Sequence, residues 1–293
     1  MCELIVPISS NEQIKTLADA KATAMVFSCD FFATRQMAYF NKNEFIKNVN
    51  TCKELNLNSY TVINRMFVES ELGELKEYMI FLRDLAISGI YYSDPAVYVI
   101  AVELDMVSML IFNQDTILTN SCDISAYLNF GIKRCVISRE ITLEEISEII
   151  KNNHNCELMI HGHMNLSYSK RMLAKAYFEE IAVQSDSKVF TIIEEGREQK
   201  MYLYEDEQGT HIFTYECLQM VNELPKIMND LKAVRIDGIF MSFEEVLKAT
   251  TNYASIINGG NSSEVYDSWI SNNDNYTSGY LYKKTNLVKQ VTV

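Results

Sequence analysis

Short apolar or β-branched runs alternate with capped, amphipathic segments along most of this chain, and that rhythm restricts the fold more than any other feature of the sequence. The first run, residues 3–8, contains Pro7 near its end, and Ser10-Asn11-Glu12-Gln13 then has the spacing of a capping box opening a helix with Ile14, Leu17 and Ala18 inward. Residues 24–28 form the next strand, followed by a loop with Asp30 and Arg35 and a helix over 42–55 that presents Phe45, Ile46, Val49 and Cys52 on one face. Residues 59–64 are a third strand, and Leu72, Leu75, Met79, Leu82 and Leu85 recur at steps of three and four on the helix behind it. Further strands are read over 89–94, 107–112, 133–138 and 157–161. Thr142-Leu143-Glu144-Glu145 caps the helix between the last two. An eighth strand at 233–237 precedes another box, Ser242-Phe243-Glu244-Glu245.

Eight strand-helix units with right-handed crossovers close most economically into an α/β (β/α)8 barrel, and no GxGxxG turn or P-loop supports the alternative of an open doubly wound sheet. The connection between the seventh and eighth strands far exceeds the roughly 2–6 residues usual in α/β units and must carry its own structure. Within it, 170–181 reads as a helix, 188–193 and 201–205 as strands, 206–209 as a turn before another extended run at 210–213, and 217–231 as a returning helix. The barrel is thus placed at 1–257 with an insertion over 165–232. Residues 258–293 form a C-terminal extension, with a short helix at 265–270 and a final strand at 276–282.

With 293 residues, 48% of them apolar, the chain can bury a sizeable core. No apolar run reaches the roughly 20 residues of a membrane helix and MCELIVPI is not a secretory leader, so no membrane association and a cytoplasmic location are expected. The net charge of −13 argues against unaided binding of nucleic acid. Seven scattered cysteines show no metal-ligand spacing and read as reduced, buried thiols.

In a barrel, residues at the carboxyl ends of the strands share one face. That places Arg35, Asn64, Asp94, Gln114, Arg139, Glu140, His161 and Asp237 in a polar bowl, joined by Ser167, Tyr168 and Arg171 from the hydroxyl-rich stretch after the seventh strand. The two inner arginines could grip a small carboxylate or phosphate, with His161, Glu140 and Arg139 as the catalytic candidates and the remaining residues binding substrate. A metal pair at His161 and His163 lacks a third ligand nearby in sequence, so no metal and no cofactor are expected. His154 and His211 read as surface or turn residues, and Glu205-Asp206-Glu207 as a solvated turn. Absence of HExxH and GxSxG excludes a zincin and an α/β-hydrolase.

The segment from His161 to Met172, HGHMNLSYSKRM, resembles the signature of the peptidase U32 family at His161, Gly162, Ser167, Tyr168, Ser169 and Arg171. Similar family motifs are Glu3-Leu-Ile-Val-Pro7, Phe32-Ala-Thr-Arg35, Arg139-Glu140, the stretch from Glu207 to Phe213, and Tyr276-Thr-Ser-Gly-Tyr280. The family is named for collagenase-like peptidases, and other members resemble RNA- or quinone-hydroxylation proteins with a four-cysteine iron-sulfur cluster. Asn165 and Met172 stand where two of those cysteines belong, and 185–204 contains none. The resemblance therefore implies a short, cluster-less form working beside a longer, cysteine-bearing paralogue in tRNA wobble-uridine 5-hydroxylation, with tRNA held mainly by that partner. A peptidase of undefined mechanism and a small-molecule binding barrel are the alternatives.

Overall fold

A computed structural model describes residues 2–196, 199–271 and 273–283. Its parallel strands are β1 (Glu3–Pro7), β2 (Ala24–Val26), β3 (Asn58–Ile63), β4 (Gly89–Tyr92), β5 (Leu110–Phe112), β6 (Arg134–Val136) and the first part of β7 (Cys156–Ser169). β8 (Val189–Ile193), β9 (Lys200–Asp206) and β10 (Gly209–Gln219) follow, and the chain returns to the barrel as β11 (Ala233–Ile236). β11 pairs with both β1 and β7, closing an eight-stranded (β/α)8 barrel.

The helices outside it are α1 (Gln13–Asp19), α2 (Lys42–Glu54), α3 (Leu72–Asp84), α4 (Pro95–Glu103), α5 (Ser121–Asn129) and α6 (Leu143–Asn152). The barrel's last helix is α9 (Phe243–Ile257), after α7 (Leu173–Glu180) and α8 (Leu224–Ile227) in the insertion. The boxes at Thr142 and Ser242 form as their spacing requires, each hydroxyl accepting the N–H of the Glu three residues on. At α1 the pattern works differently: Gln13 Oε1 accepts the N–H groups of Ser9 and Ser10, and the serine hydroxyl does not cap the helix. The outer faces of the strands and the inner faces of the helices make one continuous apolar layer.

The insertion differs most from the sequence reading. β7 does not stop at the barrel rim but runs on to Ser169 and pairs antiparallel with β10, giving a sheet of β7-β10-β9-β8 that rises beside the mouth. The helix expected over 217–231 is largely replaced by strand, because Cys217 and Leu218 are claimed by two neighbours. They pair with His163 and Gly162 on one side and with β12 (Tyr276–Thr277) on the other. Only the four residues of α8, with Pro225 in its first turn, are helical. Of the strand expected over 276–282, only Tyr276 and Thr277 remain. The C-terminal segment does not stand apart: α10 (Ser262–Trp269) lays the buried Trp269 against Tyr253 of α9. Residues 284–293 of the extension lie outside the described residues.

Candidate functional site

The barrel interior is more polar than the branched apolar filling common in this fold. By strand alternation Glu3, Tyr60, Tyr91, Arg134, Glu157 and Arg235 point inward, and they form one network. Arg134 Nη1 lies 3.1 Å from Glu3 Oε2 and its Nε 2.8 Å from Glu157 Oε2. Tyr91 Oη donates to Glu157 at 2.9 Å, and Tyr60 Oη to Glu3 at 2.8 Å. Arg235 extends the network toward the mouth, its Nε 3.8 Å from Glu157 Oε1 and its guanidinium 4.8 Å from the Tyr91 ring centre.

Above this floor two adjoining cavities of about 40 and 470 Å³ open at the carboxyl ends of the strands. Arg35, Asn64, Asn113, Asp115 and Asn165 line both. Asp115 is the hub. Its Oδ1 is ion-paired with Arg139 Nη2, and its Oδ2 lies 3.4 Å from Arg35 Nη1. Burial works against the carboxylate, but Arg139, Arg35 and Arg235 outweigh it and hold the group below its ordinary value. Arg139 also places Nη1 2.9 Å from Met159 Sδ.

Arg35 is aimed by a conformation the sequence does not advertise. Its φ is +61°, a costly region for a side chain with a Cβ, and the neighbouring contacts impose it. Thr34 N–H donates to Asn64 Oδ1 at 2.9 Å, and Asn64 Nδ2 returns a bond to Thr34 O at 3.1 Å. The fully buried Thr34 hydroxyl reaches Asp206 Oδ2 at 2.9 Å and His211 Nε2 at 3.0 Å, tying the β2 loop to the inserted sheet. Arg35 Nη1 then donates to Asn165 Oδ1 at 2.9 Å. His211 and Glu205-Asp206 are accordingly buried, contrary to the expectation of an exposed turn. His211 stacks on Tyr168 at 4.3 Å, while Glu205 accepts the first N–H groups of α7.

Of the residues placed in the bowl by sequence, Arg35, Asn64, Asp94, Gln114, Ser167 and Tyr168 line the larger cavity, and Arg139 and Asp237 the smaller. Both carboxylate oxygens of Asp94 are already engaged, by Ala96 N–H and Phe67 N–H at 2.9 Å. Glu140 and the exposed Arg171 line neither cavity.

His161 is a correction. Simple alternation from the inward Glu157 and Met159 would turn it into the bowl, but the pairing with β11 slips between Arg235 and Ile236. One extra residue reverses the facing of everything after it. His161 therefore pairs with Ile236 and faces outward, among Tyr253, Trp269 and Tyr276. Its Nε2 is 3.6 Å from Cys217 Sγ. Burial pushes the imidazole down to about 3 and the Cys217 thiol up to about 12, so both stay neutral near pH 7. His163 is separately bonded to Thr214 O at 3.1 Å, and among the described residues no cluster of three ligating side chains could hold a metal.

Asn113, Asp115, Asn165 and Arg235 were missed as site residues. For three of them the signal was present: Asn113 and Asp115 continue the inward alternation from Ile111, whereas Gln114 lies between them, and Arg235 precedes Asp237 by two.

Three comparisons bear on identity. The model of peptidase family U32 matches residues 9–289. tRNA hydroxylation protein P2 of Bacillus subtilis (strain 168) is 27% identical over 94% of this chain and 88% of its own length. An uncharacterized protease of Methanocaldococcus jannaschii, MJ0090, is 24% identical over 91% of this chain and 68% of its own. Among solved structures, the U32 peptidase Mk0906 superposes with a TM-score of 0.53 at 13% identity, covering 80% of this chain and 92% of that one, which speaks to the fold. A match to the family model spanning nearly the whole barrel, insertion and C-terminal segment places this chain in peptidase family U32.

Proposed function

We propose that this chain serves tRNA hydroxylation, at the 5-position of the wobble uridine, as a subunit that supplies an anion-gripping barrel mouth and works beside a longer, cysteine-bearing U32 paralogue in the cytoplasm. The observation that carries this reading is the similarity to B. subtilis tRNA hydroxylation protein P2 along 88% of that protein's length. The mouth suits a small anionic reactant: Arg35 and Arg139 are held by one carboxylate, Asp115, and Arg235 stands beneath them with a buried Nε that has no hydrogen-bond acceptor. An acidic chain of net charge −13 calls for the paralogue to hold most of the RNA.

The residues present do not fit a four-thiolate cluster. Asn165, at one expected cysteine position, is committed to Arg35, Ser167 O and Ile212 O, and the side chain at the other, Met172, is partly exposed. Six of the seven cysteines are buried. No step through such a group is assigned to this chain.

Hydrolysis of peptides is the second reading, favoured by the family's own description. Against it, neither mouth cavity is lined by a histidine or a cysteine, and His161 lies behind the barrel wall. A barrel that only binds a small molecule would show a ligand-dependent rise in melting temperature abolished by Arg35→Ala or Arg139→Ala.

Mass spectrometry of digested tRNA separates these. Strains lacking the gene, complemented with wild type, or carrying Arg35→Ala/Arg139→Ala would be compared. Loss of 5-hydroxyuridine derivatives in both the deletion and the double variant, with the variant protein folded, is the expected result. Unchanged tRNA in the deletion would remove the hydroxylation reading.

A further inference from the structure

The inserted sheet ends in an open edge with none of the usual protection. β8 is the terminal strand of the order β7-β10-β9-β8, and Val-Phe-Thr-Ile-Ile contains neither charge nor proline to discourage a further strand. Val189 and Ile193 are 39% and 59% exposed. The adjacent α7 presents Leu173, Tyr177 and Ile181 to solvent at steps of four, exposed by 46%, 61% and 46%. So much uncovered apolar surface on one small lobe marks an interface.

The backbone of β8 shows which groups are available. Glu205 N–H donates to Lys188 O at 2.8 Å, and bonded and non-bonded pairs alternate along an antiparallel ladder. Lys188, Phe190 and Ile192 therefore direct their amides to β9, while Val189, Thr191 and Ile193 direct theirs to the open side. Ser187 Oγ bridges the Val189 N–H and C=O at 3.2 and 2.7 Å.

We propose that a second copy of this chain adds its β8 antiparallel to this edge about a two-fold axis through Thr191. The sequence is complementary to itself in that register. Thr191 meets Thr191 of the second copy, Val189 meets Ile193, Phe190 meets Ile192, and Lys188 stands opposite Glu194 on each side of the axis. Lys188 already reaches Glu207 Oε1 at 2.9 Å and would be shared between two carboxylates. A two-fold axis normal to the sheet also keeps both α7 helices on one face, bringing their apolar stripes toward the seam. The pairing closes an isologous dimer and leaves both barrel mouths free.

Sedimentation velocity over a wide concentration range tests this, since the monomer is 33.7 kDa. Wild type is expected at twice that mass. Thr191→Pro, which removes an outward N–H without breaking the β8–β9 ladder, is expected at the monomer mass with unchanged circular dichroism. Lys188→Glu should weaken the dimer about tenfold through two like-charge pairs, and Lys188→Glu/Glu194→Lys should restore it. Hydrogen exchange adds a readout on the wild type, where the Thr191 and Ile193 amides should slow as concentration rises. A monomer at every concentration, a dimer untouched by Thr191→Pro, amides indifferent to concentration, or an edge that accepts only a different chain would each overturn the proposal.

Discussion

His161 shows how much one residue's setting depends on a single slip in pairing. It sits in the family-like signature at the end of a buried strand, yet the irregularity opposite Ile236 turns it away from the mouth and into an aromatic cage. The cage has a measurable consequence. Burial lowers the imidazoles of His161 and His211 to about 3, so between that pH and about 6.5 the unfolded chain holds protons that the folded chain refuses. The contribution is fully present above about pH 6.5 and is lost as pH falls toward 3, at about 1.4 kcal/mol per pH unit for each ring. Urea unfolding between pH 7 and 4 should therefore show a steep loss of stability in wild type and a shallower one in His161→Phe, whose ring suits the same cage. Equal slopes would mean that His161 is not buried neutral. Asp115 teaches the complementary lesson: a carboxylate in an ordinary polar loop becomes the hub of the mouth because Arg35 and Arg139 converge on it from distant parts of the chain.

At the level of elements, legibility followed the range of the forces that shape each one. Helices closed by a local box at Thr142 and Ser242, and barrel strands with β-branched alternation, were readable because their determinants lie within a few residues. α4 and α5 escaped notice, α4 because apolar residues nearly surround it and erase its periodicity. The extension of β7 through Ser169 and the strand character of Cys217 to Gln219 depend on partners some fifty residues away, which local patterns cannot express. Gly162 is where that long strand passes the barrel rim. Its φ is +131°, and a Cβ there would meet Asp237 O at 2.5 Å and Asp237 Cβ at 2.9 Å. Gly162→Ala should destabilise the fold by about 2–4 kcal/mol through strain and displace the wall of the mouth that Asp237 forms. Denaturation would measure the first effect and the tRNA assay the second; a stable, fully active variant would mean that β7 bends elsewhere.

For the whole molecule, the barrel is held at its centre by charge as well as by apolar packing. Tyr60, Val62, Tyr91, Ile111 and Val136 fill part of the interior, but Glu157 lies between Arg134 and Arg235 with no exposure at all. Such a group is costly to bury, and its retention is favourable only because two guanidinium groups and the Tyr91 hydroxyl surround it. Several arginine N–H groups here still lack a well-aligned acceptor, including both Nε atoms and Arg134 Nη2, so the network has little spare capacity. Glu157→Gln keeps the shape and removes the charge, leaving Arg134 with only Glu3 and Arg235 with no close carboxylate in the interior. The expected cost is about 3–5 kcal/mol in chemical denaturation, with the loss shared by the mouth because Arg235 belongs to both regions. Replacing Glu157, Arg134 and Arg235 together by Leu, Met and Met should recover much of that stability while leaving tRNA hydroxylation impaired. That split between restored stability and lost activity would show the network to be retained for the mouth rather than for the fold; recovery of both would show that Arg235 contributes nothing to the site.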